Sequence, residues 1–417
     1  MPAPSRLIAL DVLRGVAVMG ILLMNVAGFG LPQAAYLNPA AYGGSTGADL
    51  AVWAIGFVLI DGKMRALFSL LFGAGMVLVI ERADAAGQDG ATVHLRRMAA
   101  LLAVGAAHAY LIWSGDILIP YALVGTLALA HVRRSSRELV VIALFLLVAQ
   151  WLFLWSLVGG LGTLREAAAA ADATEGAVQA WRGVADQIGI PSPAAISREL
   201  ATFRGDYAGI LRDRLGHAAT PFLQLIDVGA ETLALMLLGA AGLRSGFLTG
   251  GWAAATYWRI VIAAYGIGLP ALALIAAGTI RSGFDEVVTV QAATLYAAPF
   301  RVVVMLGHAA LLLLWIRLSP TFRLVTRIAA VGRAAFSNYL ATSIVMTTLF
   351  YGYGLGLFGH LSRAQLYLIV PPVWIAMLAW SKPWLARYCF GPFEWLWRSI
   401  ARWQLQPFRR PIESIES

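Results

Sequence analysis

Long apolar runs alternate with short polar breaks along the whole 417-residue chain. A bilayer core about 30 Å thick is crossed by about 20 residues of apolar helix. Runs of that order fall near residues 8–30, 64–81, 96–114, 116–132, 139–160, 222–243, 253–278, 291–316, 334–353 and 364–381. The pattern predicts an all-α fold, a polytopic transmembrane helix bundle of about ten spans with both termini on one side. Residues 50–62 (LAVWAIGFVLIDG) are apolar but short, and an eleventh crossing there would part the termini. They read as an interfacial or re-entrant helix. The spans 96–114 and 116–132 are joined by little more than Ser114-Gly115-Asp116, a tight turn near the outer face.

Residues 161–221 form the one soluble-looking stretch, helical in character, with six Arg against seven acids. They are expected to cap the outer face. After Phe390, Leu396, Ile400 and Trp403 share one helical face and Glu394, Arg398 and Arg402 another. That is the pattern of an interfacial helix anchored to the inner leaflet. The organisation expected is a transmembrane half over 1–160, an extracytoplasmic helical loop over 161–221, a second transmembrane domain over 222–400 and a basic cytoplasmic tail over 401–417. The first apolar run is too long for a cleavable signal peptide and carries Asp11 and Arg14 inside it.

Composition narrows the class. Hydrophobic residues make up 60% of the chain and charged ones 13%, about half the usual share of a soluble domain. So few charges cannot clothe a water-facing exterior. The net charge is +9, yet only Lys63 and Lys382 are lysines, and the arginines cluster between apolar runs. Such clustering follows the positive-inside rule and argues against a nucleic-acid partner. The loops holding Arg82, Arg96 and Arg97, then Arg133, Arg134 and Arg137, then Arg244, then Arg317 to Arg333, are assigned to the cytoplasm. The location expected is the inner (cytoplasmic) membrane of a bacterium, with membrane lipids as partners. A single Cys389 and six scattered His leave no cysteine-built or zincin-type metal site.

An ionisable group inside a bilayer is costly by about 2.5–3.5 kcal/mol on the mildest scale, so each marks a candidate site. Asp11, Arg14 and Asn25 lie on the first span, and Arg14 and Asn25 share a face within about 20° and about 16 Å of rise. The plain structural alternative is that Asp11 and Arg14 pair with each other. His108 lies on the third span. Asp116 follows eight residues on, about 80° round on an unbroken helix, so the two meet only if the Gly115 turn folds Asp116 back. Tyr121 follows in the same stretch. Asp227 and Glu231 stand four apart and repel unless a cation intervenes; Arg301, on one face with His308, is the partner expected for both. Arg333 and Asn338 stand near the cytoplasmic side in GRAAFSNYL. The depths of Lys63 and Arg65 stay open. Polar groups reaching both leaflets suggest a cavity through the bundle.

Three stretches, ALDVLRGVAVMGILLMN (9–25), KMRALFSLLFGAG (63–75) and HAYLIWSGDILIPYA (108–122), resemble the YeiB-like family of bacterial integral membrane proteins. VGRAAFSNYL (331–340) and FGPFEWLWRS (390–399) resemble its C-terminal domain of unknown function 418. More distantly, the opening D-x-L-R-G is similar to the first span of transmembrane acyltransferases, of the acyltransferase-3 and heparan-glucosaminide acetyltransferase types. That likeness implies transfer of an acyl group from cytoplasmic acyl-CoA (acetyl-CoA) to a carbohydrate or lipid-linked acceptor. Where the acyltransferase-3 pattern has a His eleven residues after the Arg, this chain has Asn25. The resemblance therefore implies His108 as base, with Asn25 and Asp116 beside it, and Asp11, Arg14, Arg333 and Asn338 near the donor. Tyr121, Asp227, Glu231, Arg301 and His308 would line the cavity. A transporter or permease with a polar path is the alternative, and a homo-oligomer is left open.

Overall fold

The computed structural model describes residues 5–188, 192–319 and 321–410, so 411–417 of the expected tail and 189–191 of the outer loop lie outside the described residues. Among the described residues no sheet forms; a lone bridge joins Tyr388 and Arg409. Eight helical stretches are long and apolar enough to cross a membrane. They are Ile8–Gly30, Gly47–Ala85, Gly90–Ile112, Ser136–Ala169, Thr220–Arg244, Ala254–Arg281, Ala298–Leu318 and Arg363–Arg387. Leu118–His131 is a shorter apolar helix, and Ala335–Phe350 falls where another of the expected spans lies. The outside is an apolar belt. Phe145, Ile262, Leu274 and Ile375 are each at least 66% exposed, which only a lipid environment satisfies.

Lipid supplies no hydrophobic force between helices, so close backbone packing must hold them together. Gly73 and Gly239 provide it between Lys63–Ala85 and Thr220–Arg244. A β-carbon on Gly239 would stand 1.7 Å from the Leu70 carbonyl oxygen, and one on Gly73 1.9 Å from that of Met236. Gly15 and Gly332 do the same for Ser5–Gly30 and Arg323–Arg333, at 2.2 Å from Ile328 O and 1.8 Å from Asp11 O.

The segment read as interfacial or re-entrant is neither flat nor separate. Gly47–Leu59 buries Trp53 and Phe57 against the outer half of Ala254–Arg281. Lys63–Ala85 then continues beyond a break at Ile60–Gly62, so the two helices form one interrupted crossing. Gly62 turns the chain at φ 75°, where any side chain is strained and a β-carbon would meet Arg301 Cδ at 2.4 Å. The carbonyls freed by the break find donors: Lys63 Nζ donates to Phe57 O, and His308 Nε2 to Leu59 O at 2.9 Å. Backbone groups in hydrocarbon require such partners.

The outer loop forms helices Leu161–Ala169, Glu175–Ile188, Pro193–Arg204 and Tyr207–Gly216. The last two seat on the outer end of the bundle. Arg204 Nε donates to Phe358 O (2.7 Å), Gly352 N to Phe203 O (2.8 Å) and Tyr207 OH to Leu111 O (2.9 Å). At the other end, Pro392–Arg402 docks on the bundle through Trp397, whose Nε1 donates to Arg97 O at 3.0 Å.

Gly239→Val is expected to force the two central helices apart and to cost at least ~1–3 kcal/mol, read as a lower thermal-unfolding midpoint in detergent. Gly266→Ala, with nothing within 4 Å of the added carbon, should leave the midpoint unmoved; equal midpoints for both variants would refute the close-packing account.

Candidate functional site

His108 and Asp116 meet because the third crossing unwinds before its end. Gly90–Ala107 passes into one π-helical turn, His108–Ile112. Trp113 is extended, and the chain reverses through Ser114 and Gly115 into Leu118–Ala128. The reversal folds Asp116 back. Nδ1 of His108 donates to Asp116 Oδ1 at 2.8 Å, while Oδ2 accepts from Leu118 N (2.8 Å) and Ile119 N (3.1 Å) at the start of the next helix. The imidazole and carboxylate are 1% and 0% exposed. With Nδ1 held, the acceptor lone pair falls to Nε2, which is buried and bonded to no described residue.

Two cavities approach this pair from opposite ends. The inner one, about 420 Å³, runs from Asp11, Arg14 and Arg82 up to Ile117, Leu118 and Tyr121. The outer one, about 380 Å³, runs from the cap at Glu199 and Phe203 down to Asn25 and Ile117. Ile117 borders both, Tyr339 borders the inner one, Trp113, Ser114 and Gly115 border the outer one, and the His108–Asp116 pair is buried beside them without lining either. The Tyr339 ring lies 5.4 Å from that of His108, with its hydroxyl 3.5 Å from Asp116 Oδ1. Ser5–Gly30 borders both chambers, as its polar stripe predicts: Asp11 and Arg14 face the inner one and Asn25 the outer.

Five arginines line the inner cavity: Arg14, Arg82, Arg97, Arg333 and Arg398. Its two acids are both engaged. Asp11 pairs with Arg14 at 3.1 Å. Glu394 accepts from Phe336 N (2.7 Å), Ser337 N (3.0 Å) and the Ser337 hydroxyl, capping the start of Ala335–Phe350; burial nonetheless pushes its carboxyl above the usual range. Arg97 lies over the Trp397 ring at 4.1 Å and Arg398 over Phe390 at 4.3 Å, which spreads the guanidinium planes along the wall. The chamber is cationic.

The outer cavity mixes signs. Arg65 Nη2 pairs with Glu231 at 2.6 Å. That corrects the expectation that Arg301 serves both carboxylates: Glu231 bonds to Arg65 and feels Arg301 only through space, and Asp227 lines the cavity with no ionic partner among the described residues. His308 was expected in the cavity too, but both its nitrogens are taken, Nδ1 by Tyr265 OH (2.6 Å) and Nε2 by Leu59 O. Asn338 is likewise structural: Nδ2 donates to Val331 O, Ala334 O and Ser381 Oγ, and Oδ1 accepts from Trp380 Nε1 at 2.9 Å. Tyr121 reaches Ser69 Oγ at 2.5 Å from the inner side. Sequence reasoning left the depth of Lys63 open and passed over Asp61, Glu199 and Arg363; all four are on the outer wall. The acid-glycine-lysine break inside an apolar run was the available signal for the first two. Glu199 Oε1 accepts from Gln33 N at 2.7 Å, and burial pushes its carboxyl upward. Among the described residues no cluster of His, Cys, Asp or Glu is placed to hold a metal ion.

An apolar belt and eight helical stretches long and apolar enough to cross a membrane, among the described residues, define a multi-pass membrane protein. Residues 243–404 match the family described as "Protein of unknown function (DUF418)". The chain is 36% identical to "Uncharacterized protein YeiB" of Escherichia coli over 95% of its own length and 96% of that protein. It is 32% identical to "Uncharacterized protein YxaH" of Bacillus subtilis over 97% and 96%. It therefore belongs to the YeiB family of membrane proteins with a DUF418 domain. No solved structure matches it.

Asp116→Ala removes an acceptor from two backbone amides and from His108 at once. It should destabilise the protein by about 1–3 kcal/mol, and His108→Phe, which keeps the cap, by less. The order of unfolding midpoints in detergent checks this; the reverse order would mean Asp116 does not cap the helix.

Proposed function

We propose that this protein is a membrane-embedded acyltransferase of the cytoplasmic (inner) membrane. It passes an acyl group, acetyl in the simplest case, from cytoplasmic acyl-CoA to a carbohydrate acceptor on the outer side. The observation that carries this reading is His108 Nε2. It is oriented by Asp116, bonded to no described residue, and buried beside Tyr339, which borders the cation-lined inner chamber, in a stretch whose Trp113, Ser114 and Gly115 border the outer one.

In this scheme the inner arginines meet the phosphates of the donor, as bidentate guanidinium groups do, and the thioester arm points up the chamber toward Ile117 and Tyr121. The acceptor enters from the outer side. Its hydroxyl proton passes to His108 Nε2 as its oxygen bonds to the thioester carbonyl carbon. Asp116 offsets the positive charge that forms on the ring. The Asn25 amide, bonded to no described residue, donates to the developing oxyanion. The carbon–sulfur bond then breaks, and the departing thiolate takes the proton from the imidazole. Movement of Tyr339 or Ile117 opens the wall between the chambers for this step.

The interrupted crossing at Ile60–Gly62 favours a second reading, a transporter, because broken helices with buried charges mark substrate sites in that class. One experiment separates the two. Purified protein in nanodiscs is titrated calorimetrically with acetyl-CoA, and release of the acetyl group is followed. Saturable binding is expected, weakened at least about tenfold in Arg14→Ala. His108→Ala should keep binding but lose transfer or slow hydrolysis by about 10²–10⁴-fold. No saturable binding of any acyl-CoA would discard the enzyme reading and leave the transporter.

A further inference from the structure

Three cations of the outer cavity have more donors than the protein uses. Arg301 donates to no described residue; its Nε is buried without a partner, and the rest of the guanidinium borders the cavity. Arg363 is 3% exposed and gives Nη2 to the Ala35 carbonyl, yet its Nε is also buried and unpartnered. Lys63, 1% exposed, donates to a single carbonyl, that of Phe57. All three border the chamber, and the acid acting on all of them together is Asp61. The Arg65–Glu231 pair beside them is internally balanced. Glu231 also acts on Arg301 and Asp49 on Arg363, and Asp227 and Glu199 border the same cavity, so the surplus in this site is of hydrogen-bond donors rather than of net charge. A buried polar group without a partner is costly, and a buried charge more so. A fold that keeps two guanidinium Nε donors unsatisfied beside one chamber is shaped for a group that arrives with the ligand.

Other walls of the chamber are of a different kind. Trp53, Trp113 and Phe203 present apolar ring surface. Asn25, Gln224 and Asp227 offer polar groups bonded to no described residue. Flat apolar faces with a few polar groups that fix orientation suit a polyhydroxylated ring.

We propose that the outer cavity binds a saccharide carrying an oxyanion, a phosphate or a carboxylate, with the oxyanion at Lys63, Arg301 and Arg363 and the hydroxyls at Asn25, Gln224 and Asp227. As the identity of the acceptor it rests on the transferase reading; as a binding site it stands apart from it.

The protein is placed in phosphatidylcholine nanodiscs without any acyl donor. It is titrated calorimetrically with glucose 1-phosphate, glucuronate, glucose and inorganic phosphate. Saturable binding is expected for the first two, at least about tenfold tighter than for glucose or for phosphate alone. Arg301→Gln should weaken it about tenfold while Arg301→Lys keeps most of it; unfolding midpoints of both variants should stay close to the parent, because Arg301 gives no hydrogen bond to a described residue and Glu231 keeps its pair with Arg65. Glucose binding as tightly as glucose 1-phosphate, or an unchanged affinity in Arg301→Gln, overturns the proposal. Inorganic phosphate binding as tightly as the sugar phosphate overturns the saccharide part, and so does loss of sugar-phosphate binding when phosphatidylglycerol is added, since a lipid headgroup would then be the oxyanion's source. With no donor present, a failed acyl transfer leaves this result standing. Failure here leaves a transferase with a neutral acceptor.

Discussion

Backbone groups cannot be left bare in hydrocarbon, and three of the helix breaks among the described residues show how this bundle meets that demand. Each break is closed by a side chain that looks out of place in an apolar sequence. Below Ile60–Gly62 the freed carbonyls accept from Lys63 and His308. At the Gly115 reversal the freed amides of Leu118 and Ile119 donate to Asp116. After Ala334 the amides of Phe336 and Ser337 donate to Glu394. The breaks in turn set where the cavities lie. The first brings Lys63 and Arg65 to the outer chamber, the second builds the wall, and the third brings the C-terminal helix against the inner mouth. The polar residues of this protein are therefore first of all the means by which an irregular bundle survives in lipid. Chemistry is available to those with an atom left over, and His108 Nε2, Arg301 Nε and Arg363 Nε are such atoms.

That distinction explains what could be read from the sequence. Periodicity found the helices and the stripe of Asp11, Arg14 and Asn25, because a stripe is a property of one helix. The His108–Asp116 contact was legible only as a condition on the Gly115 turn, and the turn meets it. The partner of Glu231 was not legible. Arg65 lies 166 residues away, no local rule links the two, and Arg301 was as good a guess by charge alone. Asn338 and His308 looked like site residues because buried amides and imidazoles are rare. Their bonding capacity is consumed by Trp380, Ser381, Tyr265 and Leu59, which converge only in three dimensions. The short crossings were predicted by hydropathy yet fall below the length of a free span, since Leu118–His131 and Ala335–Phe350 are shielded by neighbours and need not match the bilayer alone.

The glycine contacts serve the same arrangement. Gly15 and Gly332 draw the first helix against Arg323–Arg333, which holds Arg14 and Arg333 on one chamber. Gly73 and Gly239 lock the lower part of the interrupted crossing to the helix carrying Glu231, so that the Arg65–Glu231 bridge forms between two rigid bodies. Such preorganised pairs hold their geometry at little further entropic cost.

The wall between the chambers also has an electrical meaning. Moving one elementary charge through the membrane potential is worth about 2.3 kcal/mol per 100 mV. Under the proposed transfer, the phosphates of the donor stay below the wall and the charge of the acceptor stays above it. An acyl group goes outward and a proton comes back through His108, so neither side changes its charge. The side chain of Ile117 stands where the two chambers meet. A reaction built on this wall would proceed without drawing on the membrane potential.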